Sequence, residues 1–194
     1  MTHPISLTPP AQVLLQLSFD ADQHGNTLNH YFTPVSSTTP QPTPVDGAHA
    51  ASLYFAPGEQ LLMRITASGA STGANAFQSF QVIDCVIVTR PQVIQRGQGL
   101  DTLYAPPSPF LQAVGSCYPM ALDFYATVNP LTPGGERVVN QIWKGSLDVG
   151  VSPGIWDFSL VLTVRITRGV GAVSDVRVFW FDPEMEVGST GTLK

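Results

Sequence analysis

The residues best able to touch a ligand are Tyr31 in "LNHYF", Tyr104 in "TLYAPP", Trp143 in "NQIWKG", and Trp180 with Asp182 in "VFWFDPEMEVG". Flat aromatic rings stack on sugar faces while nearby amides and carboxylates take the hydroxyls, so aromatics beside Asn, Gln and Asp are common at sugar-binding faces. Asp182, Glu184 and Glu186 alternate, and an extended chain would set all three acids on one side. There they could bind a cation or pair with hydroxyls beside Trp180. Each residue also has a plain structural role. The tyrosines and Trp143 fit loop anchors or core residues, and "FWFDP" fits a buried strand that Asp182-Pro183 brings to a stop.

Catalytic patterns fare worse. "GASTG", Gly69 to Gly73, matches G-x-S-x-G with Ser71 as nucleophile. That elbow needs a strand-turn-helix setting and a histidine base, yet a strand-like segment follows Ser71 and no histidine comes after His49. A Gly/Ser hairpin loop is the simpler reading. "DADQHG", Asp20 to Gly25, opens like a calcium loop, but His24 stands where an oxygen ligand belongs and Tyr31 where the bidentate Glu should be. His3, His24, His30 and His49, with Asp20 and Asp22, could supply zinc or nickel ligands, but their spacings resemble neither H-x-H nor histidine pairs on a helical face, and solvated loop histidines are the simpler reading. No catalytic residue, metal or cofactor is therefore expected. A hydrolase using Ser71 or Asp182 is the enzymatic alternative.

Composition narrows the classes further. Charged residues make up 12% of the 194, against roughly 25% in a typical soluble domain. The net charge is −5 with only nine basic residues, so no basic stripe is available for nucleic acid. No apolar run reaches the ~18 residues of a membrane helix. The start "MTHPISLTPP" has neither a basic region nor an apolar core, so no signal peptide is expected and the cytoplasm is the default. In that compartment Cys85 and Cys117 would be free thiols. A weakly charged surface favours self-association.

The elements that must position these residues read as strands. In "GIWDFSLVLTVRIT" Trp156, Phe158, Leu160, Leu162, Val164 and Ile166 share one parity, and the other is polar apart from Val161. Val13, Leu15, Leu17 and Phe19 alternate likewise, as do Leu61, Met63 and Ile65. Phe80 to Arg90 is apolar on both parities, which predicts a central strand covered on both faces. Residues 120–128, 137–149 and 174–181 are further strand candidates, with a hairpin loop at 168–175. Helix signals are nearly absent, a short turn in "TGANAFQSF" being the best. "YAPPSPF" is a proline-fixed crossing. Residues 1–194 thus read as one all-β domain, an antiparallel β-sandwich of Ig-like or jelly-roll type, with a Pro-rich loop at 33–50.

The order of segments resembles the AidA/PixA family of bacterial inclusion-body proteins. An opening apolar strand ends in Asp, "VLLQLSFD"; "PGEQLLMRITASG", "APPSPFLQAV", "NQIWKGSLDVG" and "GIWDFSLVLTVRIT" follow, and "VRVFWFDPEM" closes the series. The sequence departs from the family at "ADQHGNTLNHYFTPVSSTTPQPTPVDG" and runs past Asp-Pro with "EMEVGSTGTLK". The resemblance implies a single cytoplasmic β-sandwich that accumulates and self-associates, with no catalytic residues to carry over. A carbohydrate-binding module or lectin is the alternative, so the expected partners are a second copy of the chain and a small molecule or glycan. In the last strand Val178 and Trp180 share one face and Phe179 and Phe181 the other. Both faces being apolar, Phe179 and Phe181 are expected to be covered by a partner subunit.

Overall fold

The computed structural model describes residues 11–35, 53–91, 106–113, 115–128, 135–152, 154–169, 173–182 and 184–187. Tyr104, His3, His49 and the prolines of the 33–50 segment beyond Val35 lie outside the described residues. Among the described residues the chain forms strands and no helix: β1 (Gln12–Asp20), β2 (Asn29–Pro34), β3 (Leu53–Phe55), β4 (Gln60–Ala70), β5 (Phe77–Pro91), β6 (Cys117–Pro119), β7 (Phe124–Val128), β8 (Glu136–Trp143), β9 (Leu147–Asp148), β10 (Gly154–Arg168), β11 (Val173–Phe181) and β12 (Glu184–Val187).

They make two six-stranded sheets. The first runs β2-β1-β4-β8-β7, with β9 beside β4; the second runs β3-β12-β10-β5-β6, with β11 also on β10. Pairings are antiparallel except β1 with β4 and β3 with β12. The sheets pack face to face, so the expected all-β sandwich is the fold observed. Its core is built by the alternation itself. Val13, Leu15, Leu17 and Phe19 of β1, Leu61, Met63 and Ile65 of β4, and the even-numbered residues Trp156 to Ile166 of β10 are all buried.

β5 departs from expectation in an instructive way. Its apolar residues on both parities do not mean two covered faces. Between Val82, opposite Val164, and Asp84, opposite Thr163, the register slips by one residue at Ile83. Such a bulge exchanges the two faces of a strand. Phe80 and Val82 point inward before it and Cys85, Ile87 and Thr89 after it, while Gln81, Asp84 and Arg90 are exposed.

Phe179 and Phe181 also depart from expectation, since this chain covers them itself. Phe179 is 0% exposed and Phe181 2%. Phe19 stacks on Phe179 at 4.5 Å and His30 on Phe181 at 5.0 Å, so β1 and β2 of the opposite sheet supply the cover. No partner is needed for that face.

Three boundaries also shift. Thr33 and Pro34 end β2 rather than opening the Pro-rich loop. Asp182-Pro183 does not end the sheet: β11 pairs with Leu160–Arg168 and β12 with Gly154–Asp157, so the two follow one another along a single edge of β10. The "TGANAFQSF" segment is a bend and turn leading into β5, not a helical turn. The proline crossing is pinned by Trp156, whose indole N–H donates to Pro106 O at 2.9 Å, and by Phe110, bridged to Val149.

Candidate functional site

The outward residues of β10, β11 and β5 meet in register on the solvent side of the second sheet. Trp180 lies opposite Val161 and Val178 opposite Thr163. Across β10, Val161 pairs with Val86, Ser159 with Val88, Thr163 with Asp84 and Asp157 with Arg90. Cys117 and Pro119 of β6 continue the rows beyond Val88 and Val86. Trp180 is 48% exposed, Val176 and Val178 are exposed, and Val161, Val86 and Val88 are half-buried. Asp182 is exposed at the margin, and the Ser159 hydroxyl donates to its Oδ1. The structure therefore brings Trp180 and Asp182 together on one face, an apolar stripe bounded by charges.

Trp180 is held by the connection between β1 and β2. Its N–H donates to Asn26 O and its carbonyl accepts from the Leu28 N–H, both at 2.9 Å. Two arginines of the β10–β11 hairpin clamp the same connection. Arg177 donates to Gln23 O at 3.0 Å, Gly25 O at 3.2 Å and Asn26 Oδ1 at 3.1 Å, and its guanidinium lies 5.0 Å from the Phe179 ring centre. Arg168 donates to Asp22 Oδ1 at 2.5 Å and to Ala21 O. Asp20 Oδ1 accepts the Asp22 N–H at 2.7 Å, an Asx turn. The "DADQHG" segment is thus a latch between the sheets, and its Asp22 carboxylate is occupied by an arginine.

The other sequence-derived candidates lie elsewhere. Trp143 is 7% exposed, and its indole N–H donates to Ala121 O at 2.9 Å. A Cβ at residue 145 would come within 2.4 Å of its ring, so Gly145 lets the chain lie flat on the indole. Trp143 is therefore a loop anchor and offers no open ring face to a ligand. Tyr31 is 66% exposed but sits on the outer face of the first sheet, on the opposite side of the sandwich from Trp180. Ser71 occupies a strand-turn-strand connection, and both its N–H and its hydroxyl donate to Gly135 O. That is a hairpin-loop serine without the elbow geometry. Among the described residues no group of three or more His, Cys, Asp and Glu converges.

Around Tyr31 lies an arrangement the sequence reading missed. One row crosses the first sheet from Tyr31 through Gln16, Arg64 and Ile142 to Tyr125. The next row carries Ser18, Thr66, Asn140 and Thr127, with Thr66 Oγ donating to Asn140 Oδ1 at 2.8 Å. Arg64 Nε is buried without a hydrogen-bond partner. Only strand pairing assembles these residues, because they come from five separate segments.

The two cysteines differ sharply. Burial, with a smaller contribution from Asp84, pushes the Cys85 thiol up to about 12, and its Sγ lies 3.4 Å from Met120 Sδ. Cys117 is exposed on the outer face. On opposite faces of one sheet, the two thiols are not bonded to each other.

Among the described residues no helix is long and apolar enough to cross a membrane. Comparison with protein-family models, with curated proteins and with solved structures returns no match.

Proposed function

We propose that the chain is a non-enzymatic, self-associating β-sandwich protein, of the kind implied by its resemblance to the bacterial inclusion-body family. Cytoplasmic accumulation belongs to the same reading. The observation that carries it is the apolar outer face of the second sheet, where Trp180, Val178 and Val176 are exposed beside half-buried Val161, Val86 and Val88. A chain in which only 12% of the residues are charged does little to keep two such faces apart. Light scattering over a range of concentrations tests it: mass should rise with concentration, and Trp180→Ser with Val178→Ser should suppress the rise at unchanged melting temperature. A strict monomer at every concentration overturns the reading.

Carbohydrate binding is the second reading, favoured by the Tyr31–Gln16–Arg64–Tyr125 row on the first sheet. Rings at both ends of an amide- and hydroxyl-rich face suit an extended glycan. A glycan array decides it. Binding should be lost in Tyr31→Ala and Tyr125→Ala, and silence across broad sugar classes ends the reading.

A further inference from the structure

We infer that the outer face of the second sheet pairs with the same face of a second copy, about a two-fold axis that lies in the plane between the two copies and passes over β10 at Val161. This deepens the self-association reading and rests on it. The argument is a pattern of charges that is its own complement. Along the outward parity of β10 the order is Asp157, Ser159, Val161, Thr163, Arg165. Counting outward from Val161, serine matches threonine and aspartate matches arginine. On β5 the outward order after the bulge is Asp84, Val86, Val88, Arg90, again an acid and a base flanking valines. The two strands are in register, so both patterns centre at nearly the same level of the sheet: Val161 pairs with Val86, and Leu160 with Ile87 between the two valines.

A two-fold in the plane of the interface and perpendicular to the strands reverses strand direction while keeping each strand over its own copy. It sets Asp157 against Arg165 of the second copy and brings Asp84 opposite Val88 of the second copy, two residue steps (~7 Å) from that copy's Arg90 and within an arginine's reach, and each relation holds twice. Val161 and Trp180 then meet their own counterparts at the centre. A two-fold running along β10 would instead put Asp157 on Asp157 and Arg165 on Arg165, which like-charge repulsion disfavours. Packed sheets cross at about 30°, which displaces the strand ends by several ångströms, within an arginine's reach. An unrelated partner gives no reason for both strands to read as self-complementary. Edge-to-edge pairing along β11 is also obstructed, because the Asn26–Leu28 backbone already occupies its edge at Trp180.

The contact is modest in size. Four strands at ~4.8 Å and eight residue steps at ~3.3 Å give a flat footprint of roughly 500 Å² per copy. A standard interface covers about 800 Å² on each side, so the pair should exchange with monomer at micromolar concentrations.

Sedimentation equilibrium of Arg165→Asp, Asp157→Arg and their equimolar mixture tests the arrangement. Each variant alone opposes like charges at both contacts and should weaken the dimer about tenfold or more. The mixture should regain wild-type affinity, because a heterodimer of the two variants has both contacts of opposite sign again. Thermal melting checks that each variant folds. Independently of charge, the Val161→Cys variant in a Cys117→Ser background should be cross-linked to itself by a short bismaleimide. If wild type associates while the charge variants behave like it and the Val161→Cys variant is not cross-linked, this arrangement is overturned and the self-association reading survives. If wild type is monomeric throughout, both fall.

Discussion

At the residue scale, two side chains are tied to protonation, the exposed His30 and the buried Cys85. His30 stacks on Phe181 at 5.0 Å, and burial lowers its pKa below the ordinary 6.5, against a smaller opposing effect of the Leu28 backbone. The fold therefore prefers the neutral imidazole. A depressed folded-state pKa contributes stability above 6.5, and that contribution is lost as pH falls through the folded-state value. Wild type should need less urea to unfold at pH 5 than at pH 7.5, and His30→Phe, which keeps the stack, should reduce the difference. An unchanged pH dependence in that variant would remove His30 as the cause. Cys85 is the mirror case, its thiol pushed up to about 12 by burial. A thiol reagent at pH 8 should modify Cys117 alone in the folded protein and both cysteines once it is unfolded. Two fast-reacting thiols in the native state would contradict the burial of Cys85.

At the scale of elements, legibility follows the pleat. β1, β4 and β10 are readable because each keeps one parity apolar for its whole length. β5 misleads because a one-residue slip at Ile83 moves the core parity from even to odd, so a singly covered strand looks apolar on both faces. β11 misleads for a related reason. Alternation groups Phe179 with Phe181 and Val178 with Trp180, but it does not say which group faces the opposite sheet. β2, β3, β6 and β12 are short, and pairing defines them more than composition does. Of the site candidates, Trp180 and Asp182 can be found from their shared parity, whereas the Tyr31–Tyr125 row needs the strand order. The bulge itself can be tested by deleting Ile83. Without the extra residue, either Phe80 and Val82 or the residues after Asp84 must face water. Exposing a Phe and a Val costs about 5 kcal/mol or more, comparable to the whole stability of a domain. The deletion should abolish cooperative unfolding, while Ile83→Ala, which keeps the residue count, should cost only about 1 kcal/mol. A cooperatively folding deletion variant would show that the slip is not required.

For the whole molecule, charge decides how readily two copies approach. The chain carries a net charge of −5, and protonating its four histidines would offset most of it. Two such bodies about 30 Å apart repel by roughly 3–4 kcal/mol in unscreened water. At 0.01 M ionic strength the Debye length is about 30 Å and roughly a third of that survives, whereas at 0.15 M it is about 8 Å and almost none does. Lowering pH from 7.5 to 5.5 crosses the range in which histidine gains its charge, and so reduces the repulsion. Association should tighten several-fold over that interval at 0.01 M salt and change little at 0.15 M, read by light scattering at matched concentrations. Burial lowers the pKa of His30 below its ordinary value, so its share of the effect comes at lower pH than that of an unburied imidazole. Equal tightening at both salt concentrations would instead require a titrating group inside the contact. Neither β10 nor β5 presents a histidine on that face, so such a result would move the interface away from Val161.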